Sequence, residues 1–175
     1  MKKLILVLVA MLLLVGCSSK GKTDLDAEPE KGLDTTSEAE TKEVGFSFKN
    51  NDVTINMNVP AKETIDALGE PMDYFEAASC AFQGLDKIYY YSGFELSTYP
   101  NKDVDYISSV TFSDDSVSTI EGICLGSKLE DVLAAYGDDY KEELGLYTYT
   151  LGKTNLTFLI EDNLVASVNY LAVLE

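Results

Sequence analysis

The side chains best suited to chemistry in this sequence are carboxylates that occur in close pairs. The pairs are Asp103 and Asp105, Asp114 and Asp115, Asp138 and Asp139, and Glu161 and Asp162. Paired carboxylates can hydrolyse glycosides, and carboxylates bind calcium, but no run here has the spacing and glycine turn of a calcium loop. The pairs fall mostly at predicted turns, where local hydrogen bonding favours aspartate. We therefore interpret them as solvated turn residues and predict no catalytic residues, no metal site and no cofactor.

The composition excludes several classes of function. The sequence has no histidine, and all 13 of its basic residues are lysines, against 30 acidic residues. Without histidine there is no Ser-His-Asp or Cys-His catalysis and no histidine-ligated zinc. Nucleic-acid binding requires a basic surface, and the formal net charge here is −17. We therefore expect a protein that is not an enzyme and has no nucleic-acid partner.

The cysteines allow two interpretations. Cys80 and Cys124 both lie well inside the chain, and two cysteines in an exported protein can form a disulfide. Cys80 also lies in an apolar run, residues 77–82, so a buried free thiol is the alternative. No histidine is present to activate either thiol, which argues against a catalytic cysteine.

Tyrosines are the most suggestive candidates for binding. Successive side chains of a strand point to opposite faces, so Tyr89 and Tyr91 share one face, as do Tyr147 and Tyr149. If that face points away from the helices, the four rings form an exposed platform suited to protein or glycan recognition. If it points towards the helices, the four are core residues.

Two similar units in the sequence position these side chains. Residues 107–112 (ISSVTF) resemble residues 165–170 (VASVNY), and each unit has a helical pattern upstream, at 61–68 and 127–136. The predicted strands are 87–92, 94–99 and 106–112 in the first unit, 146–151, 154–161 and 164–171 in the second, and 46–49 and 53–57 before both. The predicted fold is α+β, with two tandem helix-plus-three-strand repeats and the helices packed on one face of an antiparallel sheet. The domain spans 45–175, with repeat one at about 53–112 and repeat two at about 117–171.

This pattern resembles the fold group of the β-lactamase inhibitory protein, which has two tandem helix-plus-antiparallel-sheet repeats. A single copy is similar to the small outer-membrane-assembly lipoproteins of Gram-negative bacteria. The residues that carry the resemblance are Leu68-Gly69, Tyr136-Gly137 and the repeated Tyr-x-Tyr strand starts. Segments 79–87, 94–100 and 121–122 also resemble exported lipoproteins of Gram-positive anaerobes, a group with no assigned activity. These resemblances imply fold and location, and no inhibitory loop is carried over.

The N-terminus reads as an export signal. Lys2 and Lys3 precede an uncharged apolar stretch, residues 4–15, which is shorter than the roughly 20 residues of a membrane-spanning helix. The stretch ends in Leu14-Val-Gly-Cys17, which resembles the lipobox of bacterial lipoproteins. The resemblance implies that residues 1–16 are a signal peptide, that cleavage falls between Gly16 and Cys17, and that Cys17 carries the lipid. The expected location is the cell membrane, lipid-anchored and facing the extracytoplasmic side.

Residues 17–44 are predicted to be the lipidated cysteine and a disordered acidic tether. They contain almost no large apolar side chains, so they cannot bury enough surface to offset the entropy of ordering. Loss of Lys2 and Lys3 with the signal peptide changes the formal net charge from −17 to −19. Such an acidic chain is repelled by anionic lipid headgroups, so its contact with the membrane depends on the lipid of Cys17.

We therefore expect a lipid-anchored, non-enzymatic module that binds an extracytoplasmic protein or glycan. One alternative is a structural or assembly factor of the cell envelope. Another is a hydrolase of envelope glycans that uses one of the carboxylate pairs.

Overall fold

The structure is a computed structural model that describes residues 45–174. The predicted signal peptide, the lipidation site Cys17 and the predicted tether lie outside the described residues. Neither helix of the described part is long and apolar enough to cross a bilayer.

Ten β-strands and two short α-helices make up the regular structure of residues 45–174. In chain order they are β1 (Ser47–Asn50), β2 (Val53–Asn56), α1 (Lys62–Leu68), β3 (Asp73–Ala78), β4 (Leu85–Tyr91), β5 (Phe94–Asn101), β6 (Val104–Phe112), α2 (Leu129–Tyr136), β7 (Lys141–Glu143), β8 (Leu146–Leu151), β9 (Thr154–Glu161) and β10 (Leu164–Ala172). Strands account for 51% and helices for 12% of the structure. The described part of the chain is therefore mainly β.

Eight of the strands form one antiparallel sheet in the order β3-β4-β5-β6-β10-β9-β8-β7, and β1 and β2 form a separate hairpin. The strands β3 to β6 follow α1 as one meander, and β7 to β10 follow α2 as another. The meanders meet where β6 pairs with β10. Asp162 and Asn163, in the β9–β10 turn, have φ of 49° and 66°, a conformation that aspartate and asparagine tolerate in tight hairpins. The edge strands of the sheet are β3 and β7.

The predicted α+β fold, with helix-plus-three-strand repeats and helices packed on one face, is wrong. Four strands follow each helix, and not three. The additional strands, β3 and β7, have no alternation of apolar and polar residues, so the sequence did not predict them. The helices are 7 and 8 residues long; α1 has no buried residue, and α2 has one, Val132. Helices this short cannot cover an eight-stranded sheet, so the β1–β2 hairpin provides much of the cover and the architecture is mainly β.

The core lies on one face of the large sheet, which we call the inner face; the opposite face is the outer face. The buried inner-face residues of the central strands are Phe94, Leu96, Ile107, Val110, Phe112, Leu156, Phe158, Val165, Val168 and Tyr170. Phe48 of β1 is 1% exposed, and its ring centroid lies 5.0 Å from that of Phe94 and 5.1 Å from that of Phe112. Val132 of α2 is also fully buried in this cluster. Since side chains alternate along each strand, every sheet residue of the core cluster belongs to the inner face.

Candidate binding surface

The four tyrosines predicted as an exposed platform lie on the inner face instead. Each is the cross-strand partner of a core residue: Tyr89 and Tyr91 face residues of β5, and Tyr147 and Tyr149 face residues of β9. Tyr91 is 8% exposed and Tyr149 is 3% exposed, whereas the other two are half-buried. The four rings therefore do not form an exposed platform, and the core interpretation applies to Tyr91 and Tyr149.

Tyr91 and Tyr149 have equivalent contacts at the ends of the helices. The Tyr91 hydroxyl donates a hydrogen bond of 3.4 Å to the carbonyl of Gly69, just after α1. The Tyr149 hydroxyl donates one of 3.0 Å to the carbonyl of Gly137, just after α2. Burial raises the pKa of Tyr149 to about 12, because the interior disfavours the phenolate. Both tyrosines fasten a helix end to the sheet and act structurally.

Cys80 and Cys124 are both free, so the structure does not contain the disulfide that was one of the two interpretations. Cys80 is exposed in the loop between β3 and β4, and the alternative of a buried thiol at this position is also wrong. Cys124 is half-buried in the segment before α2, where its sulfur lies 3.5 Å from the hydroxyl oxygen of Ser127. Its backbone N–H donates to that same hydroxyl. The apolar run around Cys80 does not enter the core, because it forms the exposed tip of the β3–β4 hairpin.

The carboxylate pairs lie in different loops and strand ends. Asp105 forms a 2.7 Å ion pair with Lys87, and this hydrogen bond raises the pKa of the lysine. Asp114 accepts the backbone N–H of Ser116 at 2.8 Å, and its pKa is lowered by hydrogen bonds with Ser116. Within residues 45–174, no three acidic or cysteine side chains are grouped closely enough to hold a metal ion. The carboxylates for which the structure shows a bonding partner thus have ordinary structural roles.

The most strongly perturbed titratable group, Tyr136, is the last residue of α2. Burial, and then the hydrogen bond that the Tyr136 hydroxyl donates to the exposed Glu121 carboxylate, hold the pKa of Tyr136 well above its usual range. Perturbed groups can mark active sites when they face a cleft. Neither Tyr136 nor Glu121 lines the cavity around Tyr99 or the cavity between α1 and the β5–β6 turn. We therefore interpret this pair as a contact that holds the segment before α2 against the helix.

The outer face has a different character, which was not predicted. At its centre, Asn169 of β10 connects three strands: its Oδ1 accepts the Thr111 hydroxyl of β6 at 2.9 Å. Its Nδ2 donates to Thr157 of β9 at 3.3 Å and to Ser167 at 3.0 Å. Hydroxyl and amide groups therefore occupy the middle of the outer face in a connected network.

No hydrophobic core forms on the outer face of the described domain, since every sheet residue of the core cluster points inward. Its neighbouring positions include Ser97 and Ser109, which face each other across β5 and β6, and both are half-buried. Antiparallel sheets that pack one face against a core and expose the other typically have apolar residues on the covered face and polar residues on the exposed face. The centre of the outer face is thus a polar surface available for contact, and apolar residues such as Ile88 and Leu159 flank it.

An aromatic cleft of about 400 Å³ continues the outer face at one end. It is lined by Asn58, Phe82, Tyr99, Asn101, Tyr106, Lys153, Val173 and Leu174. Tyr99 follows Ser97 by two residues, so alternation places both on the outer face, and Tyr106 is its cross-strand partner. The Tyr99 ring centroid lies 5.8 Å from that of Tyr106 and 5.0 Å from that of Phe82. The Tyr99 hydroxyl donates a 2.6 Å hydrogen bond to Asn58 Oδ1, which fixes the ring.

A second cavity, of about 360 Å³, lies between α1 and the β5–β6 turn. Tyr89, one of the four tyrosines predicted as a platform, lines it together with Ile65 and Asp105. Its ring lies 5.0 Å from that of Tyr74 on β3. The two cavities are therefore built from different tyrosines, and the aromatic cleft on the outer face contains none of the four predicted residues.

No protein-family model, no curated protein and no solved structure matches this chain. The lipobox and the likeness to the β-lactamase inhibitory protein group therefore stay predictions from the residues that carry them.

Proposed function

We propose that the protein is a lipid-anchored, extracytoplasmic binding module that holds its partner on the outer face of the eight-stranded sheet. The observation that carries the proposal is this face itself: a polar surface without a core that ends in an aromatic cleft. Tyrosine and other aromatic side chains in a well-packed cleft supply binding energy, while polar surroundings supply specificity. The partner is an extracytoplasmic protein or a glycan, and the protein acts by binding without catalysis.

The lipid anchor is part of the proposal and has its own test. Acyl chains contribute about 0.8 kcal/mol per buried methylene, and several chains together hold a protein firmly on a bilayer. We expect the full chain, produced in a lipoprotein-processing bacterium, to incorporate an alkyne fatty acid and to fractionate with membranes. The Cys17→Ser variant should lose the label and leave the membrane fraction. Membrane retention of that variant without label would contradict anchoring through Cys17.

Photo-crosslinking from single positions of the full chain in its native cell tests the binding surface. A photoreactive residue at Ser109, on the outer face, or at Asn101, at the cleft, should give one discrete adduct. The same residue at Glu63, which is exposed on α1, is the matched control and should give none. Tyr106→Ala, which removes one wall of the cleft, should reduce the adduct at Asn101. Equal adducts at all three positions, or none at the first two, would overturn the assignment of the outer face.

A further inference from the structure

The edge strand β3 is exposed along its whole length. All six residues of β3 are exposed, and within residues 45–174 it pairs only with β4. Ser79, just after the strand, donates its N–H to the carbonyl of Gly84 at 3.0 Å. Since residues alternate between facing the partner strand and facing away, the backbone N–H and C=O of Tyr74, Glu76 and Ala78 point away from β4. An unpaired row of backbone groups is a template for another strand.

The opposite edge of the sheet shows the protection that β3 lacks. The strand β7 has only three residues, Lys141, Glu142 and Glu143, and all three are charged. Short length and charged side chains are the usual means of preventing an edge strand from pairing with other chains. In contrast, β3 has twice the length, and only two of its six residues, Asp73 and Glu76, are charged. One outward N–H is occupied, because Asp73 Oδ1 accepts the N–H of Tyr74 at 2.8 Å.

Exposed apolar side chains accompany this unprotected edge. Met72, just before β3, is 72% exposed, Phe75 is 55% exposed and Leu85 of β4 is 39% exposed. Ala77 and Ala78 are also exposed. An added strand would therefore gain apolar contact as well as backbone hydrogen bonds, the two components of β-strand addition.

The charge around the edge indicates what the added strand carries. No lysine occurs between Lys62 and Lys87, and this stretch contains six acids. Four of them, Glu70, Asp73, Glu76 and Asp86, lie in or close to β3 and its partner β4. The lysine of β4 that lies opposite Glu76, Lys87, is ion-paired with Asp105. Complementary charge steers association and disfavours partners of the same charge, so the edge is suited to a cationic segment. A second copy of this chain is disfavoured, since it brings the same acids.

We propose that β3 binds an extended segment of another protein, in which basic residues alternate with apolar ones, as a ninth strand of the sheet. The proposal rests on the proposed function in treating the domain as a binding module, but it uses the sheet edge and not the outer face. Backbone pairing at Glu76 and Ala78 supplies geometry, Phe75 supplies an apolar contact, and the surrounding carboxylates supply charge selectivity.

The test uses the full lipidated chain in nanodiscs of neutral lipid and a six-residue peptide of alternating lysine and valine, matched to the length of β3. We expect saturable binding by fluorescence anisotropy, slowed amide exchange at Glu76, and weaker binding as salt rises. Ala78→Pro removes an outward N–H without touching the β3–β4 ladder and should weaken binding at least tenfold. Ala78→Ser keeps that N–H and should bind like the parent.

Four results would overturn the proposal. The first two are no binding by the parent chain and equal binding of a glutamate–valine peptide. The third is unchanged binding by folded Ala78→Pro. The fourth is self-association of the parent chain that Ala78→Pro abolishes, which would make a second copy the occupant. If Ala78→Pro does not fold, Glu76→Gln is the second variant. It should bind the peptide more weakly than the parent at low salt and equally well at high salt. Binding equal to that of the parent at both salt concentrations would overturn the proposal. The crosslinks from Ser109 and Asn101 should persist in Ala78→Pro, so failure at the edge is distinguishable from failure of the outer face.

Discussion

Replacing Phe48 by alanine tests whether the β1–β2 hairpin is an integral cover of the core. The Phe48 side chain is 1% exposed and contacts three aromatic rings of the sheet. Truncating a buried phenylalanine to alanine costs about 3–5 kcal/mol, because transfer free energy is lost and a cavity remains. A domain of this size has a free energy of unfolding of about 5–15 kcal/mol. The variant should therefore lose a large part of its stability.

The matched control is Phe75→Ala, which removes the same atoms from a residue that is 55% exposed. Its expected cost is about 1 kcal/mol, in proportion to the smaller apolar area that it buries. The free energy of unfolding is measured by urea titration of the mature chain carrying Cys17→Ser. Far-UV circular dichroism and tyrosine fluorescence are the probes, since the protein has no tryptophan. At a slope of about 2 kcal/mol per molar urea, the Phe48→Ala midpoint should fall by about 2 M.

A third variant, Phe48→Leu, keeps most of the volume and should cost less than about 1.5 kcal/mol. The expected order of stability is parent, then Phe75→Ala and Phe48→Leu close together, then Phe48→Ala. Equal midpoints for Phe48→Ala and Phe75→Ala would refute the packing of the hairpin against Phe94 and Phe112. A parent chain that unfolds in two steps would show instead that the hairpin detaches before the sheet unfolds.

Three further predictions concern single groups. The Tyr149 pKa is raised to about 12 from about 10 in an unfolded chain. The contribution of the neutral Tyr149 to folding stability is therefore complete below pH 10 and is lost as the pH rises towards 12. Tyr149→Phe should reduce the fall in stability across that range, and an unchanged fall would contradict this prediction. The buried Thr98 hydroxyl has no hydrogen-bond partner among the described residues, so Thr98→Val should raise the free energy of unfolding by about 1 kcal/mol. A decrease in the thermal or urea midpoint would contradict this, because it would show that the hydroxyl is hydrogen-bonded. Gly145→Ala and Gly126→Ala introduce a side chain at nearly the same φ, 84° and 83°, but only the former brings its Cβ within 2.9 Å of a carbonyl oxygen, that of Ile160. Gly126→Ala should lower the free energy of unfolding by about 1–2 kcal/mol from the left-handed backbone alone, and Gly145→Ala should lower it further. Thermal melting of the two variants measures the difference, and equal losses would contradict the steric argument.

The strands that the sequence predicts are those with one buried face. Alternation such as Phe94, Leu96 and Thr98 marks β5, and the corresponding pattern of Leu156 and Phe158 marks β9, because a half-buried strand selects apolar residues at every second position. The edge strands escape this signal: all residues of β3 and β7 are exposed. Their strand conformation depends on pairing with β4 and β8, which is tertiary information. The differences at the helix starts, one residue for α1 and two for α2, are minor by comparison with these missing strands.

Which face the tyrosines occupy also depends on tertiary information. The spacing of Tyr89 and Tyr91 establishes that they share a face, but their cross-strand partners on β5 decide that it is the inner one. The aromatic cleft was still harder to predict from the sequence, because Asn58, Phe82 and Lys153 come from widely separated segments. The polar positions Ser97 and Tyr99 were available from alternation once Phe94 and Leu96 were assigned to the core. A polar residue next to a core residue along the same strand is the signal that could have indicated the outer face.

The hydrogen bonding of the outer face constrains how a partner binds there. Asn169 already satisfies its amide with Thr111, Thr157 and Ser167, and a partner that displaced these bonds would leave buried polar groups without partners, at a cost of about 1–3 kcal/mol each. Favourable contact therefore keeps the network intact and reaches it through added donors, acceptors or water. Apolar anchoring falls to the cleft, where Phe82 and Tyr106 provide ring surface at the end of the same face. The outer face is accordingly suited to a partner that places a small apolar or sugar-ring anchor in the cleft and a hydrated polar surface over the central strands.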